Sequence, residues 1–290
     1  ILFDFFTFPV ILAQQPGGDG MDQVNHAAWT GRTVDETACF THADAQRLNA
    51  TLGGWCDVGP DSPLPPLAHW CAFTPMAPSD QLGPDGHPRG SDLLPPAPSK
   101  RRMWAGGALE FHAPVQIGEP LRRRSSVRSI VPKKGATGDM LFVTVDHAIY
   151  GPRGLAIEER QDIVYLNIPD SYSPPKARDL PGNLVERWTP DEVMLFRYSA
   201  LTFNAHRIHY DRTYATAVEH YPDLVVHGPL QATMLLRTAH SFRGQPPKYF
   251  DFPGVHPMFV GHPRDLTAQA AIASPHPWPG HGRPHALQAH

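Results

Sequence analysis

Proline and glycine interrupt this chain so often that long helices can form in only a few places. The 290 residues include 33 prolines and 24 glycines, about one residue in five, whereas the two together make about 12% of an average protein. Proline removes a backbone donor and glycine raises the entropy cost of an ordered backbone, so both tend to end regular elements. The sequence also has no internal repeat of fixed period. A helical bundle, a coiled coil and a solenoid of helical repeats are therefore disfavoured.

The clearest secondary-structure signal is a run of strands in the first half. Four segments rich in β-branched and aromatic residues follow one another, with turn residues between them. The segments are 109–117, 122–131, 140–150 and 155–166. Closely spaced strands with turns between them predict an antiparallel meander. The long Pro- and Gly-rich segment 75–99 before it is predicted to be an irregular loop, of a length that usually carries function or is mobile.

Helix signals lie on both sides of this meander. Thr41 is a candidate cap for a polar helix within the helical stretch 21–55, and Asp211 is a candidate N-cap for a short helix. Pro229 after Gly228 starts a helix that is apolar nearly all round and is expected to be buried. The predicted helices are 41–50, 67–73, 211–220 and 229–239. The predicted strands of the second half are 193–199, 249–252 and 255–260.

Charge and cysteine content exclude several classes of protein. The formal net charge is −3, which gives no basis for nucleic-acid binding through a basic surface. Cys39, Cys56 and Cys71 are too few for a disulfide framework and fit no zinc motif, so they are expected to be reduced thiols in a cytoplasmic protein. No apolar run approaches the ~20 residues of a membrane span.

A cluster of polar residues in the second half carries the chemistry. Asn204, His206, His209 and Asp211 fall within eight residues, and the segment 225–230 follows at the start of the buried helix. Free backbone N–H groups at a helix start stabilise a developing oxyanion. A histidine close by is a natural general base near neutral pH. The pattern suits proton abstraction or water addition next to a carbonyl group.

Two strings carry a resemblance to a known family. They are Arg197-Tyr-Ser-Ala-Leu-Thr-Phe-Asn-Ala-His-Arg-Ile-His-Tyr-Asp211 and Tyr221-Pro-Asp-Leu-Val-Val-His-Gly-Pro-Leu-Gln231. The chain resembles the MaoC-like hotdog hydratases and dehydratases over about residues 21–260. Within that group it is similar to the branch of mesaconyl-C4-CoA hydratases, itaconyl-CoA hydratases and mitochondrial 3-hydroxyacyl-thioester dehydratases.

The resemblance implies an α+β double hotdog, in which each half wraps an antiparallel sheet around a central helix. Five segments are expected: a non-native or disordered leader at 1–20, an N-terminal non-catalytic hotdog at 21–168, a linker at 169–183, a C-terminal hotdog with the hydratase motif at 184–265, and a poorly ordered tail at 266–290. Met21 is then the natural start. The two sheets are expected to join edge to edge into one continuous sheet, which would remove exposed edges.

The resemblance also implies a reaction, the reversible hydration of an enoyl-CoA. A C4–C5 dicarboxyl acyl-CoA such as mesaconyl-C4-CoA, hydrated to citramalyl-CoA, is the favoured substrate, and acyl carrier protein stays open as the carrier. His209 is the implied base and the Gly228 N–H the oxyanion donor, while Asn204, at the usual catalytic Asp position, and His206 orient water or move a proton. Thr202, His227 and Pro229 are the expected substrate contacts. No metal, redox cofactor, nucleic acid or membrane partner is expected, and a homodimer stays open.

Plainer interpretations of these residues stay open beside the catalytic ones. Asn204 could close a turn, Asp211 could serve only as an N-cap, and His206 and His227 could be structural. The pair His69-Trp70 favours core packing, and the basic run 122–124 favours a solvated face over contact with CoA phosphates. Two other functions remain: a non-catalytic hotdog scaffold that binds an acyl thioester, and a hotdog thioesterase, which would need a carboxylate where Asn204 stands.

Overall fold

A computed structural model of the chain describes residues 26–59, 61–97, 101–135, 138–174, 182–253 and 257–269. The predicted leader at 1–20, residues 175–181 of the predicted linker and residues 270–290 of the predicted tail lie outside this described part. Within it, no helix is long and apolar enough to cross a bilayer.

The main element is a six-stranded antiparallel sheet in the order β1-β3-β4-β5-β2-β7. The strands are β1 (Thr33–Cys39), β2 (Arg101–Phe111), β3 (Pro120–Gly135), β4 (Gly138–Gly151), β5 (Gly154–Leu166) and β7 (Tyr249–Pro253). The neighbouring pairs β3–β4 and β4–β5 are the predicted meander. β1 was not predicted, because its polar sequence lies within the stretch assigned to a helix. Across from Arg123 and Arg124 of β3, its Glu36 and Asp35 form ion pairs.

The second half adds only one strand to this sheet. β7 pairs antiparallel with β2, whereas β6 (Asn183–Trp188) and β8 (Arg264–Ala268) form a separate two-stranded sheet. In the described residues, the two halves therefore join into one sheet only through the pairing of β2 with β7, and the expected single continuous sheet is not formed by the other strands of the second half. β6 begins at the last residue of the predicted linker, and β8 runs past the predicted boundary at 265, so 266–268 belong to the sheet and not to the tail.

Five helices complete the described part, namely α1 (His42–Thr51), α2 (His69–Ala72), α3 (Glu192–Thr202), α4 (Arg212–Ala217) and α5 (Gly228–Arg243). A capping box between Thr41 and Asp44 starts α1, as the sequence predicted. Asp211 caps α4 by accepting from the Tyr214 N–H at 2.9 Å. α5 starts at the predicted position and is buried along most of its length. The first half holds only the short α1 and α2 among its described residues, so the expected long central helix of that half is not found there.

The predicted strand at 193–199 is wrong, because these residues lie in α3. The Asp191 side chain accepts from the Met194 N–H at 2.7 Å and fixes the start of the helix. Burial then follows helical spacing at Leu195, Tyr198 and Ser199. The predicted strand at 255–260 is also not found in its described residues, where an isolated bridge joins Phe259 to Val225; residues 254–256 lie outside the described part.

The two halves share one hydrophobic core and are tied by polar contacts. Buried residues from α1, β2 and α5 belong to a single cluster. Arg101 of β2 forms an almost fully buried ion pair with Glu219, at 2.8 Å, and donates to the Glu219 backbone carbonyl at 2.6 Å. Arg237 of α5 donates to the Leu52 carbonyl at 2.6 Å. The second half is thus held against the first by contacts that cannot form within either half alone.

Candidate active site

His209 is buried in a short 3-10 turn, Arg207–His209, that lies within the polar cluster. Its Nδ1 lies 2.7 Å from the Val225 carbonyl oxygen. Because a carbonyl oxygen only accepts hydrogen bonds, Nδ1 carries the hydrogen. Nε2 therefore keeps its lone pair, and this is the form of histidine that can take a proton from water.

His209 lies against the residue that precedes α5. Its ring stacks on the His227 ring with centroids 3.7 Å apart, and His227 is the N-cap residue of that helix. His227 is fully buried, with Nε2 2.8 Å from the Ser199 hydroxyl and Nδ1 without a hydrogen-bond partner among the described groups. His209 is thus buried against the residue that precedes α5 and is not turned to open solvent.

Burial keeps both of these imidazoles neutral. Desolvation, helped by the neighbouring His227 and His206, holds the pKa of His209 well below its usual range. Desolvation with a contribution from His206 lowers the pKa of His227 to about 3. A general base must be unprotonated to act, so His209 is ready for that role throughout the neutral range.

Asn204 closes a turn and leaves its amide nitrogen as the free end. The chain leaves α3 through Phe203, in the left-handed region at φ 49°, and the Asn204 N–H donates to the Ser199 carbonyl at 2.9 Å. The Asn204 Oδ1 accepts from the His206 N–H at 2.9 Å. The turn role that the sequence left open is therefore present, and it occupies the acceptor end of the side chain.

His206 lies between the two halves of the protein. Its Nε2 lies 3.4 Å from Oε1 of Glu219, the carboxylate that also pairs with Arg101. Burial raises the pKa of Glu219, but the contacts with His206 and Arg101 outweigh it and lower the pKa overall. The His206 ring packs edge-on against His209 at 5.3 Å between centroids. The buried carboxylate Glu219 was not anticipated from the sequence.

A loop from the first half supplies a fourth histidine. The ring of His87 lies 4.0 Å from that of His206, centroid to centroid. Asp85 holds His87 through two hydrogen bonds, from its backbone N–H at 3.0 Å and its Nδ1 at 2.9 Å. The Asp85 carbonyl in turn accepts from the Arg207 N–H at 2.8 Å. The signal in the sequence was the long loop at 75–99, in which Asp85-Gly-His87 carries no family motif.

A cavity of about 340 Å³ lies beside this loop. Asp85 and His87 form part of its wall, together with Arg102 of β2 and Tyr165 of β5. Burial, with Arg102 and His206 adding to it, lowers the pKa of His87 to about 3 in spite of the Asp85 carboxylate. The cavity therefore has a neutral histidine between it and the His206–His209 pair.

The contacts of the other predicted site residues are mostly local. Gly228 is exposed. Because it is the first residue of α5, its N–H has no acceptor within the helix. Pro229 follows it at the helix start. Thr202 donates to the Tyr198 carbonyl at 2.8 Å, a local bond within α3. The Asn204 side chain is engaged in its own turn, so its predicted proximity to Gly228 remains a prediction.

Two groups of side chains have a spacing that suits a metal ion. Asp85, His87 and His206 place their ligand atoms within 4.8 Å of one another, as do Glu110, His112 and Glu158. In the first group the Asp85 carboxylate and the His87 Nδ1 are hydrogen-bonded to each other at 2.9 Å. The second group lies at the surface, where His112 pairs with Glu158 at 2.8 Å.

Two plainer predictions from the first half can be placed. His69 and Trp70 are buried, and both contact the buried Glu159 carboxylate, at 2.9 and 2.8 Å, so they combine core packing with a polar network. The Arg122–Arg124 run is partly neutralised by carboxylates, since Arg122 and Arg124 share Asp35 and Arg123 pairs with Glu36. This pairing favours the solvated face over a site for CoA phosphates.

The buried histidines predict a loss of stability in acid. An unfolded histidine titrates near 6.5, but burial lowers the pKa of His147 to about 4 and that of His227 to about 3. Below pH 6.5 the unfolded chain therefore binds more protons than the folded one, and the free energy of unfolding falls as the pH drops. Each such histidine contributes a slope of about 1.4 kcal/mol per pH unit between its two pKa values.

Denaturant unfolding followed by circular dichroism at pH 7, 6 and 5 measures this slope. His147→Gln is expected to reduce it by about one proton, whereas the exposed His42, replaced in the same way, leaves it unchanged. A free energy of unfolding that stays constant from pH 6 to 5 would contradict the expectation.

Comparison with known proteins gives consistent matches. A profile of the family described as hydroxyacyl-thioester dehydratase type 2 matches residues 67–260. The mesaconyl-C(4)-CoA hydratase of Chloroflexus aurantiacus is 43% identical over 254 residues, which cover 86% of this chain and 90% of that protein.

Solved structures share the fold at low sequence identity. HtdX of Mycobacterium tuberculosis is 16% identical, with a TM-score of 0.57 over 81% of this chain and 88% of its own. A conserved hypothetical protein of the same organism, described as having a double hotdog fold, is 12% identical, with a TM-score of 0.52 over 83% of this chain and 86% of its own. The chain therefore has a double hotdog fold, and the predicted fold class is confirmed.

Proposed function

The chain belongs to the hydroxyacyl-thioester dehydratase type 2 family, and on this premise we propose that it is a hydro-lyase that hydrates an enoyl thioester reversibly. The named activity of the 43% identical relative makes mesaconyl-C4-CoA the preferred candidate substrate. Hydration would place a hydroxyl group on the β carbon and a proton on the α carbon, which gives citramalyl-CoA. The reverse reaction removes water from the 3-hydroxyacyl thioester.

The observation that carries this proposal is the state of His209. It is neutral, buried and held by the Val225 carbonyl so that Nε2 is the basic nitrogen. In the proposed reaction Nε2 takes a proton from water while the water oxygen attacks the β carbon. The stacked His227 ring fixes the plane of His209, so the base is held in one orientation before substrate binds.

The start of α5 supplies the second element of the mechanism. Electron density that moves onto the thioester oxygen during attack would be stabilised by the Gly228 N–H and the helix dipole. Asn204 would hold the water through its free amide nitrogen, and His206 would help to move the proton towards the α carbon. This division of roles needs no metal or redox cofactor.

An absorbance assay tests the proposal directly. Purified protein is mixed with a panel of enoyl-CoAs, and loss of the conjugated double bond is followed. Rapid loss with mesaconyl-C4-CoA, and product identified as citramalyl-CoA, is the expected result. Release of free CoA would instead indicate a thioesterase, and binding without turnover would indicate a non-catalytic scaffold.

Asn204→Asp is expected to lower kcat by about 10-fold or more, because it removes a donor that would hold the water. Aspartate keeps the Oδ1 that accepts from the His206 N–H, so the turn survives. It loses the amide N–H group and adds a negative charge beside the attacking water. The measurement is kcat with mesaconyl-C4-CoA, and Asn204→Ala serves as the comparison that also loses the turn. Unchanged or higher activity in Asn204→Asp would show that a carboxylate serves there.

Three further features of the proposed function stay as proposals. The carrier is CoA, with acyl carrier protein as the alternative, and assays with both carriers decide between them. We propose that the protein acts in the cytoplasm, where its three cysteines would stay reduced. It forms a homodimer, which light scattering of the purified protein would detect.

A further inference from the structure

Arg102 is an unneutralised charge in the wall of the cavity beside His87. It lies on β2 opposite Tyr165 of β5, and both residues line the cavity. Its neighbour Arg101 is neutralised by Glu219 at 2.8 Å. Arg102, in contrast, forms no ion pair within 4.0 Å with any residue in the described part of the chain. One side-chain hydrogen bond joins Arg102 to Tyr165, which leaves the other donors of the guanidinium fork available for a ligand.

The charge balance of the cavity favours an anion. Its titratable lining residues are Asp85, His87, Arg89, Arg102 and Tyr165. The two Asp85 oxygens already accept from the backbone and the ring of His87. His87 is neutral near pH 7 because burial lowers its pKa to about 3. Two arginines thus face a single carboxylate that is engaged elsewhere, and the cavity carries a net positive charge.

The cavity is also close to the proposed base. His87 in its wall is 4.0 Å from His206, and His206 is 5.3 Å from His209, measured between ring centroids. In a C4 thioester of the fumarate type, the free carboxylate is bonded directly to the carbon that receives water. A group that recognises this carboxylate must therefore lie close to His209. Two successive ring contacts, His87 to His206 and His206 to His209, join the cavity wall to that base. The phosphates of CoA, by comparison, are separated from the thioester by the whole pantetheine arm.

We propose that this cavity binds the free carboxylate of the acyl group, and that Arg102 is its ion-pair partner. The apolar part of the wall, which includes Trp29, Leu94 and Pro95, would accept a methyl branch beside the carboxylate. The site would make the protein select dicarboxyl acyl thioesters over simple acyl thioesters of the same length. This inference rests on the proposed function in taking an acyl thioester as the ligand.

Binding of two unreactive ligands tests the inference without turnover. Succinyl-CoA and butyryl-CoA have the same carrier and chain length and differ in a terminal carboxylate against a methyl group. The wild-type protein is expected to bind succinyl-CoA more tightly. Arg102→Met should weaken succinyl-CoA binding by about 30-fold and change butyryl-CoA binding by less than about threefold. Arg102→Lys should recover part of the loss, because it restores the charge without the fork.

Arg47→Met is the matched control, since Arg47 lies on the surface of α1 outside the cavity lining and is 68% exposed. It should leave both affinities unchanged. An equal loss of both ligands in Arg102→Met would overturn the inference in favour of contact with the CoA phosphates. Unchanged affinity for both ligands would overturn it as well.

Turnover assays separate this inference from the proposed reaction. Mesaconyl-C4-CoA and 3-methylcrotonyl-CoA are compared, because the second replaces the carboxylate of the first by a methyl group. Arg102→Met should lower kcat/KM for mesaconyl-C4-CoA selectively. If the wild-type protein hydrates neither substrate but prefers succinyl-CoA through Arg102, the proposed reaction fails and the carboxylate site stands. If it hydrates both equally well before and after the substitution, the carboxylate site fails and the hydratase stands.

Discussion

Replacing His209 by alanine is expected to lower kcat for hydration by about 10²–10⁴-fold, the usual cost of losing a general base. The loss arises in the chemical step, so kcat and kcat/KM should fall together. The measurement is the absorbance of the conjugated enoyl thioester with mesaconyl-C4-CoA. Because His209 is buried and donates to the Val225 carbonyl, alanine also leaves that acceptor unpaired, at a cost of about 1–3 kcal/mol in stability.

A second variant separates catalysis from folding. The amide nitrogen of asparagine can take the place of the histidine Nδ1, so His209→Asn keeps a donor for the Val225 carbonyl but has no basic nitrogen. It should fold as the wild type does by circular dichroism and still lose at least about 10²-fold in kcat. The exposed His42, replaced by alanine, is the control. Wild-type rates in His209→Asn would remove His209 from the mechanism and favour the scaffold or thioesterase functions.

Local signals in the sequence predicted the elements whose ends are marked by side chains. α5 was predicted because Gly228 and Pro229 mark its start, and α4 because Asp211 caps it. α3 was mistaken for a strand because the unbroken apolar run Val193-Met-Leu-Phe196 shows no helical period. Its exposed apolar residues Val193 and Phe196 hide the helical spacing of the buried ones. Only the packing of the helix reveals that spacing.

Long-range pairing explains the strand that the sequence did not predict. β1 has the sequence TVDETAC, in which acidic and small residues leave only a short and weak strand signal. Its Asp35 and Glu36 lie opposite arginines of β3 that are almost 90 residues away in sequence. An ion pair of this kind cannot be inferred from either segment by itself.

In the candidate site, too, local sequence signals predicted some residues, whereas long-range contacts bring in others that the sequence did not predict. The local string from Asn204 to Asp211 contained His209, His206 and the turn at Asn204, all of which could be named from the sequence. The partners that surround them come from distant segments: His87 lies on a loop of the first half, and Arg101, the partner of Glu219, lies on β2. The first half was expected to be a non-catalytic hotdog, but it places His87 directly against the histidine cluster.

The docking of this first-half loop depends on Gly86, and Gly86→Ala is expected to lower kcat/KM by at least about 10²-fold, because small displacements of positioned groups have effects of this size. Gly86 has φ +90°, a conformation that side chains other than glycine rarely adopt. A Cβ atom there would lie 1.8 Å from the Ala205 carbonyl oxygen. The loop would have to move away from residues 205–207, and the Arg207 N–H would lose its bond to the Asp85 carbonyl.

Ser79→Ala provides a control in the same loop, since Ser79 is exposed and lies outside the cavity lining. It should retain activity within about threefold, as surface substitutions usually do. Thermal unfolding of both variants shows whether a loss of activity reflects a loss of folded protein. The six-stranded sheet does not depend on this loop, so folded Gly86→Ala with displaced His87 is the expected species. Full activity in a folded Gly86→Ala protein would mean that His87 does not help to position the histidine cluster, and the site would then be confined to the second half.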